Sequence, residues 1–127
     1  MGRLKADERM GIKGYYYKTD AIYNVESAVA FLLNIRKIDN IIVENIDLRD
    51  DLRSSEGSMS TVLDGNISEK ELTEEINKRN VDLVEMYVEM FNEIIFFSIN
   101  LRTWELYISL DSETKIDIED LEERLVL

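Results

Sequence analysis

The feature that most constrains the fold is a two-residue rhythm in the later part of the chain. Ile95, Phe97, Ile99 and Leu101 alternate with Ile94, Phe96, Ser98 and Asn100. After a gap, Leu106, Ile108 and Leu110 alternate with Glu105, Tyr107 and Ser109. Successive side chains of a strand point to opposite faces, so residues 94–110 read as a β-hairpin with its turn near 101–104. A sheet with one wholly apolar face must bury it against a second layer.

The preceding segment, VEMYVEMFNE at 84–93, fits two geometries. As a helix it puts Glu85, Glu89 and Glu93 at i, i+4 and i+8, an acidic ridge. Leu83, Tyr87, Met90, Ile94 and Phe97 also keep a heptad-like spacing. As a strand it puts the same glutamates on one face with Tyr87 and Phe91. Like charges four residues apart weaken a helix by ~0.2–0.5 kcal/mol per pair. Val84, Tyr87, Val88 and Phe91 prefer strands, and Asn92 suits a turn. The balance favours a strand over 81–91, which completes a three-stranded meander. Its core face is Val84, Met86, Val88, Met90, Ile95, Phe97, Ile99, Leu106, Ile108 and Leu110. Its other face interleaves Glu85, Glu89 and Glu105 with Leu83, Tyr87, Phe91, Ile94, Phe96 and Tyr107.

Upstream, the run Tyr15-Tyr16-Tyr17 suggests a strand over 15–22. Asn24 is placed to cap a helix over 25–38, with Val25, Ala28, Val29, Leu32, Ile35 and Ile38 at helical spacing. Residues 41–48 read as a strand. The polar stretch 49–66 ends in the turn signal Asp64-Gly65-Asn66 and is long for a plain loop. Within it, Ser58–Leu63 suggests a short extra strand folding back on 47–53. Ser68 with Glu71 forms a capping box, and Ile67 with Leu72 a hydrophobic staple, for a helix over 69–79. Asp117 caps a last helix over 118–126, with Ile116 set to staple Leu121. The expected class is α+β, in the order β-α-β-(loop)-α-β-β-β-α, with a C-terminal antiparallel meander packed on helices. Residues 1–14, carrying Arg3, Lys5, Arg9 and Lys13, read as a flexible basic tail before a single domain over 15–127.

The 127 residues are 45% hydrophobic, enough for a core. The chain has no cysteine, which removes thiolate chemistry and disulfides. It also has no histidine, so Ser-His-Asp, Cys-His and His-metal machinery are impossible. No cofactor or metal is implied, and the chain reads as a non-enzyme. No run approaches a membrane span, and the start MGRLKADERMGIKG has neither an h-region nor a myristoylation motif. The expected location is cytoplasmic.

The net charge is −12, which repels phosphate backbones and attracts basic partners, although solubility alone also accounts for acidity. Three functions follow. The first is an acidic protein-binding module: a stoichiometric inhibitor of a basic nucleic-acid-handling protein, of the immunity or phage-encoded anti-host type, acting by nucleic-acid mimicry. Its expected contacts are Asp39, Glu44, Asp47, Asp50, Asp51, Glu85, Glu89, Glu93 and Glu105, with Tyr87, Phe91 and Trp104 as anchors. Trp104 occupies a turn where Gly or Asn is usual; it is either an exposed hot spot or a lid folded onto the core edge. The second function is an assembly subunit, a homodimer built through an open sheet face. The third is a His-free metal hydrolase using Glu113-x-Lys115 with Asp82, a match too short to be specific.

Overall fold

The computed structural model describes residues 2–9, 11–50, 60–125 and 127, the backbone alone for 2–9. The elements are β1 (Gly2–Arg9), β2 (Ile12–Lys18), α1 (Val25–Ile35), β3 (Ile41–Arg49), β4 (Ser60–Asp64), α2 (Glu69–Asn77), β5 (Leu83–Met90), β6 (Glu93–Asn100), β7 (Leu106–Asp111) and α3 (Ile118–Leu125). The fold is α+β, as expected. Strands β2 to β7 form an antiparallel sheet, and β1 extends it at the β2 edge, giving the order β1-β2-β7-β6-β5-β3-β4. The stretch read as a basic tail, residues 1–14, holds β1 and the first residues of β2.

Local chemistry sets most of the boundaries. Asn24 Oδ1 accepts from Ser27 N at 2.8 Å and Ser27 Oγ accepts from Asn24 N at 2.9 Å, a reciprocal cap for α1. The helix stops at Ile35 because the next bonds, Lys37 N to Asn34 O and Ile38 N to Ile35 O, tighten to i→i−3 spacing. Strand β2 ends at Lys18 because Thr19 folds the chain into a turn, its Oγ1 accepting from Ala21 N and its carbonyl from Ile22 N. Ser68 Oγ accepts from Glu71 N at 3.1 Å and donates to Glu71 Oε1 at 3.3 Å, so the expected capping box is half formed: the Glu71 carboxylate meets the hydroxyl of the cap and not its backbone N–H. Asp117 caps α3 through its Oδ1, which accepts from Glu119 N at 3.0 Å. The short extra strand expected over 58–63 is β4, Ser60–Asp64, and it pairs with Asn45–Arg49; residues 51–53, 58 and 59 of that expectation lie outside the described residues.

The segment 84–93 is a strand and its turn. Phe91 and Asn92 have φ of 53° and 64°, the left-handed pair of a two-residue hairpin loop. Asparagine tolerates this conformation; for phenylalanine it costs about 1–2 kcal/mol. Trp104 also has a positive φ, 61°, with its N–H donating to Asn100 O at 2.7 Å, and its ring packs on the edge of the core.

All ten residues of the expected core face are buried. Val29, Leu32 and Ile35 of α1, Leu72 and Ile76 of α2, and Leu121 of α3 join them in one cluster. The three helices therefore cover one face of the sheet. The opposite face contributes nothing to that cluster.

Candidate open sheet face

Cross-strand partners share a face, so the register defines what the second face displays. Tyr16 lies opposite Tyr107, Tyr107 opposite Ser98, Phe96 opposite Tyr87, and Tyr87 opposite Asn45. The rings form a row across four strands. Tyr16 and Tyr107 have centroids 4.6 Å apart, Tyr107 and Phe96 6.4 Å, and Phe96 and Tyr87 5.0 Å, all tilted or edge-on. Such pairs contribute about 0.5–1.5 kcal/mol each beyond burial. Gly14 makes room for the row: a Cβ there would come within 2.8 Å of the Tyr107 ring. Among the described residues no helix packs over these rings.

Carboxylates border the row. Asp47 and Glu85 are direct cross-strand neighbours, a repulsive placement. Arg49, two residues along the same strand, relieves it with Nη1 3.2 Å from Glu85 Oε1. Glu85 is only 6% exposed, so this pair is partly desolvated. Asn45 Nδ2 donates to Asp47 Oδ1 at 2.5 Å. Partial burial raises the Tyr87 phenol above its ordinary pKa, and the negative charges of Glu85 and Asp47 raise it further, against the pull of Arg49.

One row of this face is apolar on both sides of an acid. Ile42 of β3 and Ile94 of β6 flank Glu89 of β5 directly across the strands. Ile42 is 59% exposed, Ile94 54%, and Phe91, in the adjoining turn, 55%. Beside the turn lies a shallow hollow lined in part by Phe91, Ile94, Asp111, Glu113 and Lys115. A hollow of similar size beside α2 is lined by Asp64, Glu71, Glu74 and Glu75, but Glu75 there already holds Lys78 at 2.5 Å and Arg79 at 2.8 Å.

The twelve expected contact residues fall into separate places. Asp47, Glu85, Tyr87 and Glu89 are together on the open face, with Glu105 at its margin and Glu44 exposed at the bulge in β3. Asp39, Phe91 and Glu93 lie at one end of the sheet. Glu93 is committed within the chain: its carboxylate accepts from Thr114 Oγ1 at 2.5 Å and from Lys115 N at 3.1 Å. Asp50, after β3, and Trp104, between β6 and β7 with its ring against the core, are at the opposite end, and Asp51 lies outside the described residues. Tyr16, Ile42 and Val62 belong to the open face and are absent from the expected set. In the runs Tyr15–Tyr17 and Ile41–Val43 some apolar residue must point outward, but which one depends on the pairing partner.

The hydrolase constellation is split. Asp82 precedes β5, where its carboxylate meets Arg102 Nε at 2.9 Å. Glu113 follows β7, at the other end of the sheet, in a turn where its N–H donates to Asp111 Oδ1. Among the described residues no three acidic side chains converge as a cation site requires. Nor is any described helix long and apolar enough to cross a membrane. No family model, no curated protein and no solved structure matches the chain.

Proposed function

We propose that the protein is an acidic protein-binding module that docks on a basic partner through its open sheet face. The observation that carries this reading is the aromatic row, partly exposed, outside the core that the helices cover, and bordered by Asp47, Glu85 and Glu89. Aromatic anchors supply most of the binding energy of typical interfaces, and a surrounding field of one sign steers an oppositely charged partner into register. The narrower form is a stoichiometric inhibitor of a basic nucleic-acid-handling protein, of the immunity or phage-encoded kind, in which carboxylates stand where phosphates would lie. Asp39, Glu44, Asp47, Glu89 and Glu105 are the acids for that role. Glu85 and Glu93 hold their own fold through Arg49, Thr114 and Lys115 and serve as supports.

The test is affinity capture from host lysate with the immobilised protein at low and high salt. A basic nucleic-acid-handling protein should be retained at low salt and released as salt rises, and charge reversal at Asp47 and Glu89 should abolish its capture. Retention that is indifferent to salt and to these reversals refutes the reading. A second reading, self-assembly through the same face, draws on the exposure of Ile42, Val62, Phe91 and Ile94. It calls for a mass that rises with concentration in sedimentation, with little salt dependence. The charge of −12 opposes it, since each copy brings the same acids to the interface.

A further inference from the structure

We infer that Glu89, in its collar of Ile42, Phe91 and Ile94, is the seat for an arginine side chain of the basic partner; this rests on the reading of the open face as a docking surface. The three glutamates spaced four apart have different fates. Glu85 is paired with Arg49 and nearly buried, and Glu93 accepts two hydrogen bonds from the β7–α3 link. Among the described residues nothing donates to or pairs with the carboxylate of Glu89.

Its surroundings narrow the occupant. Ile42 and Ile94 stand directly across the strands on either side, and Phe91 is the first residue of the turn that follows the same strand, each more than half exposed. Any surface covering this collar excludes water from it. An apolar cover leaves Glu89 buried and unpaired, which is strongly unfavourable, and a second copy of the chain adds another carboxylate. A cation satisfies it. Arginine suits the collar better than lysine. Its guanidinium is flat and weakly hydrated, stacks on an aromatic ring, and engages a carboxylate through two parallel hydrogen bonds. The lysine ammonium keeps its water more tightly and has no flat surface to lay against Phe91.

The test is a titration of the isotope-labelled protein with octa-arginine and, separately, octa-lysine, followed through its backbone amide resonances. With octa-arginine the largest shifts should fall at Ile42, Glu89, Phe91 and Ile94, at concentrations several-fold below those needed for octa-lysine. Glu89→Gln should weaken octa-arginine by roughly tenfold, Phe91→Gly should remove its advantage over octa-lysine, and Glu123→Gln on α3 should change neither. The inference is overturned if octa-arginine does not bind, if its shifts spread over α2 and α3, if octa-lysine matches it, or if Glu89→Gln binds as the parent does. If any of these holds while a basic protein is still captured through Asp47 in a salt-sensitive way, the seat is wrong and the docking face stands. If capture fails too, both fail.

Discussion

Replacing Gly65 by alanine tests the packing of the β4–α2 corner with a single methyl group. A Cβ at this position would lie 2.9 Å from Val43 Cγ1 and 3.0 Å from the Val43 carbonyl carbon, and closer still to the carbonyl oxygen. Carbon atoms are comfortable at about 3.5–4.0 Å, and the obstacle is backbone in β3 that cannot rotate away. The corner must lift. It is held down by Arg36 at the end of α1, whose Nη1 donates to Gly65 O at 2.9 Å and Ile67 O at 2.7 Å. Overpacking of this kind costs about 1–3 kcal/mol, and a hydrogen bond to a charged group contributes about 1.5–3 kcal/mol. Alanine returns about 0.4–1 kcal/mol by restricting the unfolded chain. The net loss should be about 2–4 kcal/mol, roughly 10 °C in Tm at this chain length. Urea unfolding, followed by Trp104 fluorescence and far-UV circular dichroism, measures it, with an unchanged m-value marking a change in stability alone. Gly11→Ala is the control: a Cβ there meets nothing within 4 Å, so only its left-handed φ of 82° is penalised. The reasoning fails if Gly65→Ala is as stable as the parent, or if Gly11→Ala loses more.

Phe91→Gly should change the unfolding free energy by no more than about 1 kcal/mol. Relief of the left-handed penalty, ~1–2 kcal/mol, offsets glycine's flexibility, ~0.5–1 kcal/mol, and the loss of a half-covered ring; a drop above ~3 kcal/mol in urea titration would make Phe91 a packing residue. Glu93→Ala should destabilise by about 1–3 kcal/mol, because Thr114 Oγ1 and Lys115 N lose their acceptor, and hydrogen exchange should quicken at Lys115. The phenol of Tyr87 should ionise above the usual value near 10.0, visible as a late absorbance step on alkaline titration that Tyr87→Phe removes. Since the folded pKa is the raised one, the unfolded chain loses its proton first. Stability is then intact below pH 10 and falls as pH climbs from there through the folded value.

The period of the hydrophobic pattern was enough to place the meander. Val84 to Leu110 alternate so regularly that the buried face could be named residue by residue, and Asn24, Ser68 and Asp117 marked three helix starts by their capping chemistry. The helix-like spacing of Glu85, Glu89 and Glu93 yielded to β-preferring neighbours and to Asn92 in the turn. What stayed hidden depends on partners far away in the chain. That Tyr16 rather than Tyr15 faces outward follows from its pairing with Tyr107, and that Glu85 is a structural acid follows from Arg49 reaching across from β3. The positive φ of Phe91 was equally illegible, because nothing about phenylalanine announces a left-handed turn. The Asp64-Gly65-Asn66 signal marked a real corner for a different reason: Gly65 is required by the closeness of Val43.

The strand order carries a consequence for synthesis. Strand β2 has β7 as its inner neighbour, with Ile12 opposite Asp111, while β3 has β5. The meander β5–β7 is thus inserted between two strands that a ribosome makes well before it. A nascent chain halted ahead of Leu106 holds β2 with no inner neighbour, and the apolar side of α1 has only part of a platform to settle on. Closing the sheet must wait until Leu106–Asp111 has been made, and late, long-range closure of this kind is slow and leaves apolar strands open to association in the meantime.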